Sequence, residues 1–101
     1  MNFNDLNFEK IKKYFASKPI EKAWLIGSYA RGTQTSDSDV DILVKFDPEA
    51  RIGLFMFSQI IDDLENIAKK NIDLVEEGTF YPWIEENVSK EKILIYERIT
   101  S

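Results

Sequence analysis

The chain has no cysteine and no histidine in its 101 residues. Without thiols, disulfides and thiolate metal sites are excluded. Without imidazole, so are Ser-His-Asp and Cys-His nucleophilic chemistry, imidazole acid/base catalysis and histidine-based metal centres. Any catalysis must run on carboxylates, hydroxyls, Lys, Arg, Tyr or a bound cation. No apolar run approaches the roughly 18 residues needed to span a bilayer. The opening "MNFNDLNFEKIKK" has neither the basic nor the apolar region of a secretory leader, so the cytoplasm is the expected compartment. Positive charge is also scarce. Thirteen Lys and Arg against 18 Asp and Glu leave a net charge of -5, with the basic residues scattered along the chain. Duplex binding usually requires a basic patch, so polymeric nucleic acid is a poor fit. A nucleotide that carries its own metal ion remains compatible.

The length suits one domain, expected over residues 1–101 with no linker-like shift or internal repeat. Asn4-Asp5-Leu6-Asn7 offers caps for a first helix to about Ser17, with Phe8, Ile11 and Phe15 as its apolar stripe. Lys18-Pro19 ends it. Glu21–Ile26 reads as a strand, broken at Gly27, and Ser28 can cap a short helix ending by Gly32. After the polar loop Thr33–Ser38, "VDILVKF" (Val40–Phe46) is a strand. Ile52 to about Lys69 is the longest helical pattern, with Leu54, Phe57, Ile61, Leu64 and Ala68 on one face. Ile72–Glu76 reads as a third strand, Tyr81 to about Lys92 as a helix, and Ile93–Glu97 as a short strand rather than a helix end. The expected fold is α/β (α+β): a small mixed sheet of three to four strands packed with helices.

The stretch "GSYARGTQTSDSDVDILV" carries the chemistry. Strand alternation puts Asp39 and Asp41 on one face and Val40, Ile42 and Val44 on the other. Two carboxylates about 4 Å apart repel by roughly 4 kcal/mol at an effective dielectric near 20. One acid is protonated, an arginine or lysine neutralises the pair, or the pair holds a divalent cation. With oxygen donors alone, a hard ion such as Mg²⁺ or Mn²⁺ is favoured. Asp73 alternates with Ile72 and Leu74, so it can join Asp39 and Asp41 if its strand is their neighbour. Upstream, Gly27 allows close backbone approach and Ser28 opens a helix whose free amides favour an anion. Alone, Gly27-Ser28 is equally a tight turn with a cap. Arg31 is a phosphate partner or a tie to Asp37 or Asp39. Ser38 bonds phosphate or caps the turn before the strand. Asp37 sits in the polar loop and receives no catalytic role.

Taken together, Gly27-Ser28-x-x-Arg31-Gly32, Ser38-Asp39-x-Asp41, the apolar strand and Asp73 resemble the DNA polymerase β-type nucleotidyltransferases. Within that superfamily the stretch is similar to minimal nucleotidyltransferase (MNT) domains, from Trp24 to Val75. One departure is Ile26, where the family commonly has an aromatic residue before Gly-Ser. The resemblance implies the nucleotidyltransferase fold. It implies that Gly27 and Ser28, with Arg31 and Ser38, bind a nucleoside triphosphate such as ATP. Asp39, Asp41 and Asp73 would hold Mg²⁺, or Mn²⁺, and Asp73 would orient or deprotonate an acceptor hydroxyl. Such domains resemble the antitoxin of HEPN–MNT toxin–antitoxin pairs, in which AMP passes to a hydroxyl, typically a tyrosine, of the HEPN toxin. An antitoxin acting only by steric contact is the alternative, and a small-molecule nucleotidyltransferase ranks below both. Phe55 and Met56 are extra apolar residues beyond the helix stripe, whereas Tyr81 and Trp83 are expected in the core. Leftover apolar surface would mark a protein partner or a homodimer.

Overall fold

Alternating and helical apolar spacings divide the chain into eight elements, seen in a computed structural model that describes residues 6–99. In order they are α1 (Phe8–Ala16), β1 (Ile20–Ile26), α2 (Gly27–Arg31), β2 (Val40–Phe46), α3 (Leu54–Ala68), β3 (Ile72–Glu76), α4 (Pro82–Glu91) and β4 (Ile93–Glu97). The ambiguous last segment is a strand, as expected. Of the expected caps of α1, Asn4 and Asp5 lie outside the described residues. Asn7 occupies the cap position with a left-handed φ of 60° and makes no side-chain cap bond.

The strands form one mixed sheet in the order β3-β2-β1-β4. β1 runs antiparallel to β2 and β4, whereas β2 and β3 are parallel. A parallel pair needs a crossover, and α3 provides it. Glu65 on α3 accepts the Ile72 amide at 3.0 Å, and Val40 N–H donates to the Asn71 carbonyl at 2.9 Å, fixing where β2 and β3 begin side by side.

Strand alternation sorts the side chains. Val40, Ile42 and Val44 join Ala23, Leu25, Ile72 and Leu74 in the main core, against Ile11 and Phe15 of α1 and Ile60, Leu64 and Ala68 of α3. On the opposite face Trp24, Ile26 and Leu43 form a smaller cluster with Val75, Phe80 and Val88 of α4. Lys92 Nζ lies 4.2 Å from the centre of the Trp24 ring, a cation–π contact at the end of α4. Between α1 and α3, Tyr14 donates its hydroxyl to Asp63 Oδ2 at 2.6 Å. Burial and this acceptor raise the Tyr14 pKa, and the hydrogen bond from Tyr14 in turn lowers that of Asp63.

Three apolar assignments are corrected. Leu54 is 86% exposed, not part of the buried face of α3. It occupies the first turn of a helix that starts at Leu54 rather than Ile52, and Ile52, ahead of the helix, packs against the core instead. Tyr81 and Trp83 are 65% and 64% exposed. Their rings stack on each other at 4.7 Å and 4° instead of entering the core. The neighbouring Phe80 packs against the Trp24, Ile26 and Leu43 cluster instead. Among the described residues no helix is long and apolar enough to cross a membrane.

Candidate active site

Asp41 sits near the start of β2 on the face opposite the main core, the face Leu43 shares. The parallel register places it directly beside Asp73 on β3. The antiparallel register places it beside Ile26, so Gly27 follows immediately on its other flank. Asp39 lies just before β2 and is exposed. The conditional expectation for Asp73 is therefore met: its strand is the neighbour of β2.

Gly27 and Asp41 are built for each other. A Cβ on Gly27 would overlap Asp41 Oδ2 and would stand only 3.1 Å from its Cγ. Gly27 also has φ +71°, a left-handed conformation that other residues adopt at a cost. Glycine is required here for both reasons. Burial raises the Asp41 pKa first, Asp73 and then Asp39 raise it further, and Arg31 opposes them. Asp41 thus feels both neighbouring carboxylates.

Ser28 lies inside α2 rather than capping it, because the helix begins at Gly27 and its cap position is Ile26. The Ser28 carbonyl accepts the Thr33 amide at 2.9 Å, while its hydroxyl makes no hydrogen bond among the described residues. Ser38 Oγ accepts the Thr35 amide at 2.8 Å, closing the turn before β2. Arg31 pairs with neither Asp37 nor Asp39. Its guanidinium reaches α4, donating to Glu91 Oε1 at 3.1 Å. Beside Asp39 a polar cleft of about 310 Å³ is lined by Ser36, Asp37, Ser38, Lys69, Lys70 and Asn71. Lys70 Nζ donates to the Ser36 carbonyl at 3.2 Å and ties this loop to the turn before β3.

Glu91, Lys69 and Lys70 were not singled out in the sequence. For the lysines a signal existed, since they directly precede the strand that carries Asp73. Glu91 is 60 residues from Arg31, and no local pattern joins them.

Carboxylate oxygens suit a hard divalent cation. Among the described residues no three acidic side chains converge into a ready cation cage. Mg²⁺ rarely needs one, because it takes one or two carboxylates and fills its shell with water and substrate phosphates. The space left open by Gly27 lets the Asp41 carboxylate stand against the backbone turn. The residues fit the ion.

Residues 9–100 match the family described as polymerase beta, nucleotidyltransferase. The chain belongs to that nucleotidyltransferase family. Its members' chemistry makes it an enzyme of nucleotidyl transfer, and the four-stranded mixed sheet is the nucleotidyltransferase fold. A relative from Methanocaldococcus jannaschii, MJ1379, provisionally named a protein adenylyltransferase, is 32% identical over 88 residues, covering 85% of this chain and 88% of that one. The protein adenylyltransferase MntA of Thermococcus cleftensis is 33% identical over 76 residues, 75% of each chain. A solved structure given provisionally as a minimal nucleotidyltransferase superposes with TM-score 0.77 at 28% identity, covering 92% of this chain and 95% of that one. Two more distant structures share the fold with this nucleotidyltransferase. One is a toxin–antitoxin with AMP-PNP, with TM-score 0.76 at 23% identity over 92% of this chain and 75% of that one. The other is a tri-AMPylated Shewanella oneidensis HEPN toxin in complex with MNT antitoxin, with TM-score 0.67 at 19% identity over 92% and 71%.

Proposed function

We propose that residues 1–101 form a single minimal nucleotidyltransferase domain that transfers AMP from ATP to a tyrosine hydroxyl of a HEPN-type toxin in the cytoplasm, acting as its antitoxin. The observation that carries this reading is the register of Asp41 beside Asp73, with Gly27 leaving room for the Asp41 carboxylate. Gly27 and Ser28 receive the triphosphate, the first by backbone approach and the second through its free hydroxyl. Arg31 offers charge to the phosphates from the end of α2, and Ser38 holds the loop that presents Asp39. Asp39 and Asp41, with Asp73, would hold Mg²⁺ or Mn²⁺, which when bound offsets negative charge on the polyphosphate.

Asp73 orients the acceptor hydroxyl and takes its proton. The acceptor oxygen bonds to the α-phosphorus as the bond from that phosphorus to the oxygen bridging to the β-phosphorus breaks, and pyrophosphate leaves. Phe55, 95% exposed, and the Tyr81–Trp83 stack supply apolar surface for the toxin or a second copy of the chain.

The test is transfer of labelled AMP from ATP to the partner toxin by wild type and by Asp39→Asn/Asp41→Asn. Label should appear only with wild type, and the double variant should fail to silence the toxin. Silencing by the double variant without label would replace catalysis with steric inhibition.

A further inference from the structure

Arg31 stands between two acidic claims. It ends the five-residue helix that begins at Gly27, the residue packed against Asp41. Its positive charge is felt at Asp41. Asp41 stands beside Asp73 there, with Asp39 two residues upstream, and among the described residues none of the three has an ion-pair partner. A guanidinium about one helical turn from Gly27 has these carboxylates as alternative partners, since bidentate arginine–carboxylate pairs are strong. Instead its NH1 group donates to Glu91 Oε1 at 3.1 Å. Glu91 sits in the last turn of α4, where the helix dipole gives a carboxylate no assistance. Both side chains are partly exposed, so the pair is weak and can be exchanged for a better one.

We propose that Glu91 is a positioning residue that holds the Arg31 guanidinium off the carboxylates. Asp39 and Asp41 then stay free for a divalent cation, and Arg31 stays free to turn to the phosphates of an incoming nucleotide. This rests on the reading that those acids hold a cation. Without Glu91, Arg31 moves onto Asp39 and Asp41 and competes with the ion.

Mn²⁺ is the probe, with free ion measured by electron paramagnetic resonance in titrations of the whole chain without nucleotide. Glu91→Gln, close in shape to the native residue, should weaken Mn²⁺ binding about tenfold. Adding Arg31→Gln to that variant should return the affinity to that of Arg31→Gln alone. A structural loss at α4 would not be repaired by the second substitution. Unchanged affinity in Glu91→Gln, or a double variant as weak as the single, overturns the proposal. Asp41→Asn separates the two levels. If it abolishes binding while Glu91→Gln does nothing, only the role of Glu91 falls. If it leaves binding intact, the cation reading falls with it.

Discussion

Replacing Gly27 by alanine tests the geometry of the site against an internal control. Gly27 and Gly32 flank the same short helix with nearly the same backbone, φ +71° and +75°. An alanine at either position meets a left-handed strain of about 1 kcal/mol. For a domain of this size each kcal/mol lowers Tm by about 4–8 °C. Around Gly32 a new Cβ meets nothing within 4 Å, so strain is its whole cost. At Gly27 the new Cβ overlaps Asp41 Oδ2 and presses on Asp41 Cγ at 3.1 Å and Asp41 Cβ at 3.3 Å. The carboxylate must rotate away, and a displacement of about 1 Å in a reacting constellation costs roughly 100-fold in rate. Gly32→Ala should therefore melt several degrees low yet keep its AMP transfer. Gly27→Ala should melt at least as low and lose about two orders of magnitude in transfer. Thermal melts and labelled-AMP transfer on both variants check this. Equal activity in the two, with equal Tm, would show that the Gly27–Asp41 fit has no bearing on the chemistry.

Two further predictions concern charge and packing. Because burial, Asp73 and Asp39 raise the Asp41 pKa, the folded chain holds that proton more tightly than the unfolded chain. The ionised cluster therefore costs stability at pH 7, and the cost fades as pH falls through the folded pKa of Asp41. Asp73→Asn should raise Tm at pH 7 in metal-free buffer, with an advantage that shrinks on acidification; a lower Tm at pH 7 would contradict this account. In α3, Ile60→Ala should cost about 2–5 kcal/mol, whereas Leu54→Ser should stay within about 0.5 kcal/mol because its side chain is in solvent. Urea titrations of the two variants decide it, and a large loss at Leu54 would restore that residue to the core.

The strands and their acids were legible because a period of two shows both the element and its faces. Asp41 and Asp73 each interrupt an apolar alternation, and each side chain lies on the face away from the main core. That β2 and β3 are adjacent was not legible, since register depends on α3 crossing back over the sheet. Leu54 kept the helical spacing of the buried face, but spacing does not say that the helix starts only at Leu54 and that Ile52, outside it, packs on the core. Tyr81 and Trp83 were read as core from their size, yet two large rings can cover each other. The Arg31–Glu91 pair was invisible because its members are 60 residues apart and meet only through the tertiary fold. The chemistry was local in sequence, and its supports were not.

Asp73 stands on β3, a five-residue strand at the border of the sheet. Border strands are held by one ladder only, and segments with few partners open at a fraction of the global unfolding cost. Release of β3 would carry away Asp73 while β1, β2 and the Gly27–Asp41 fit stayed whole. Asp73, the proposed proton acceptor, thus stands on one of the two border strands. A contact that clamps that border would keep Asp73 beside Asp41 without touching the nucleotide, and one that pries it loose would part them.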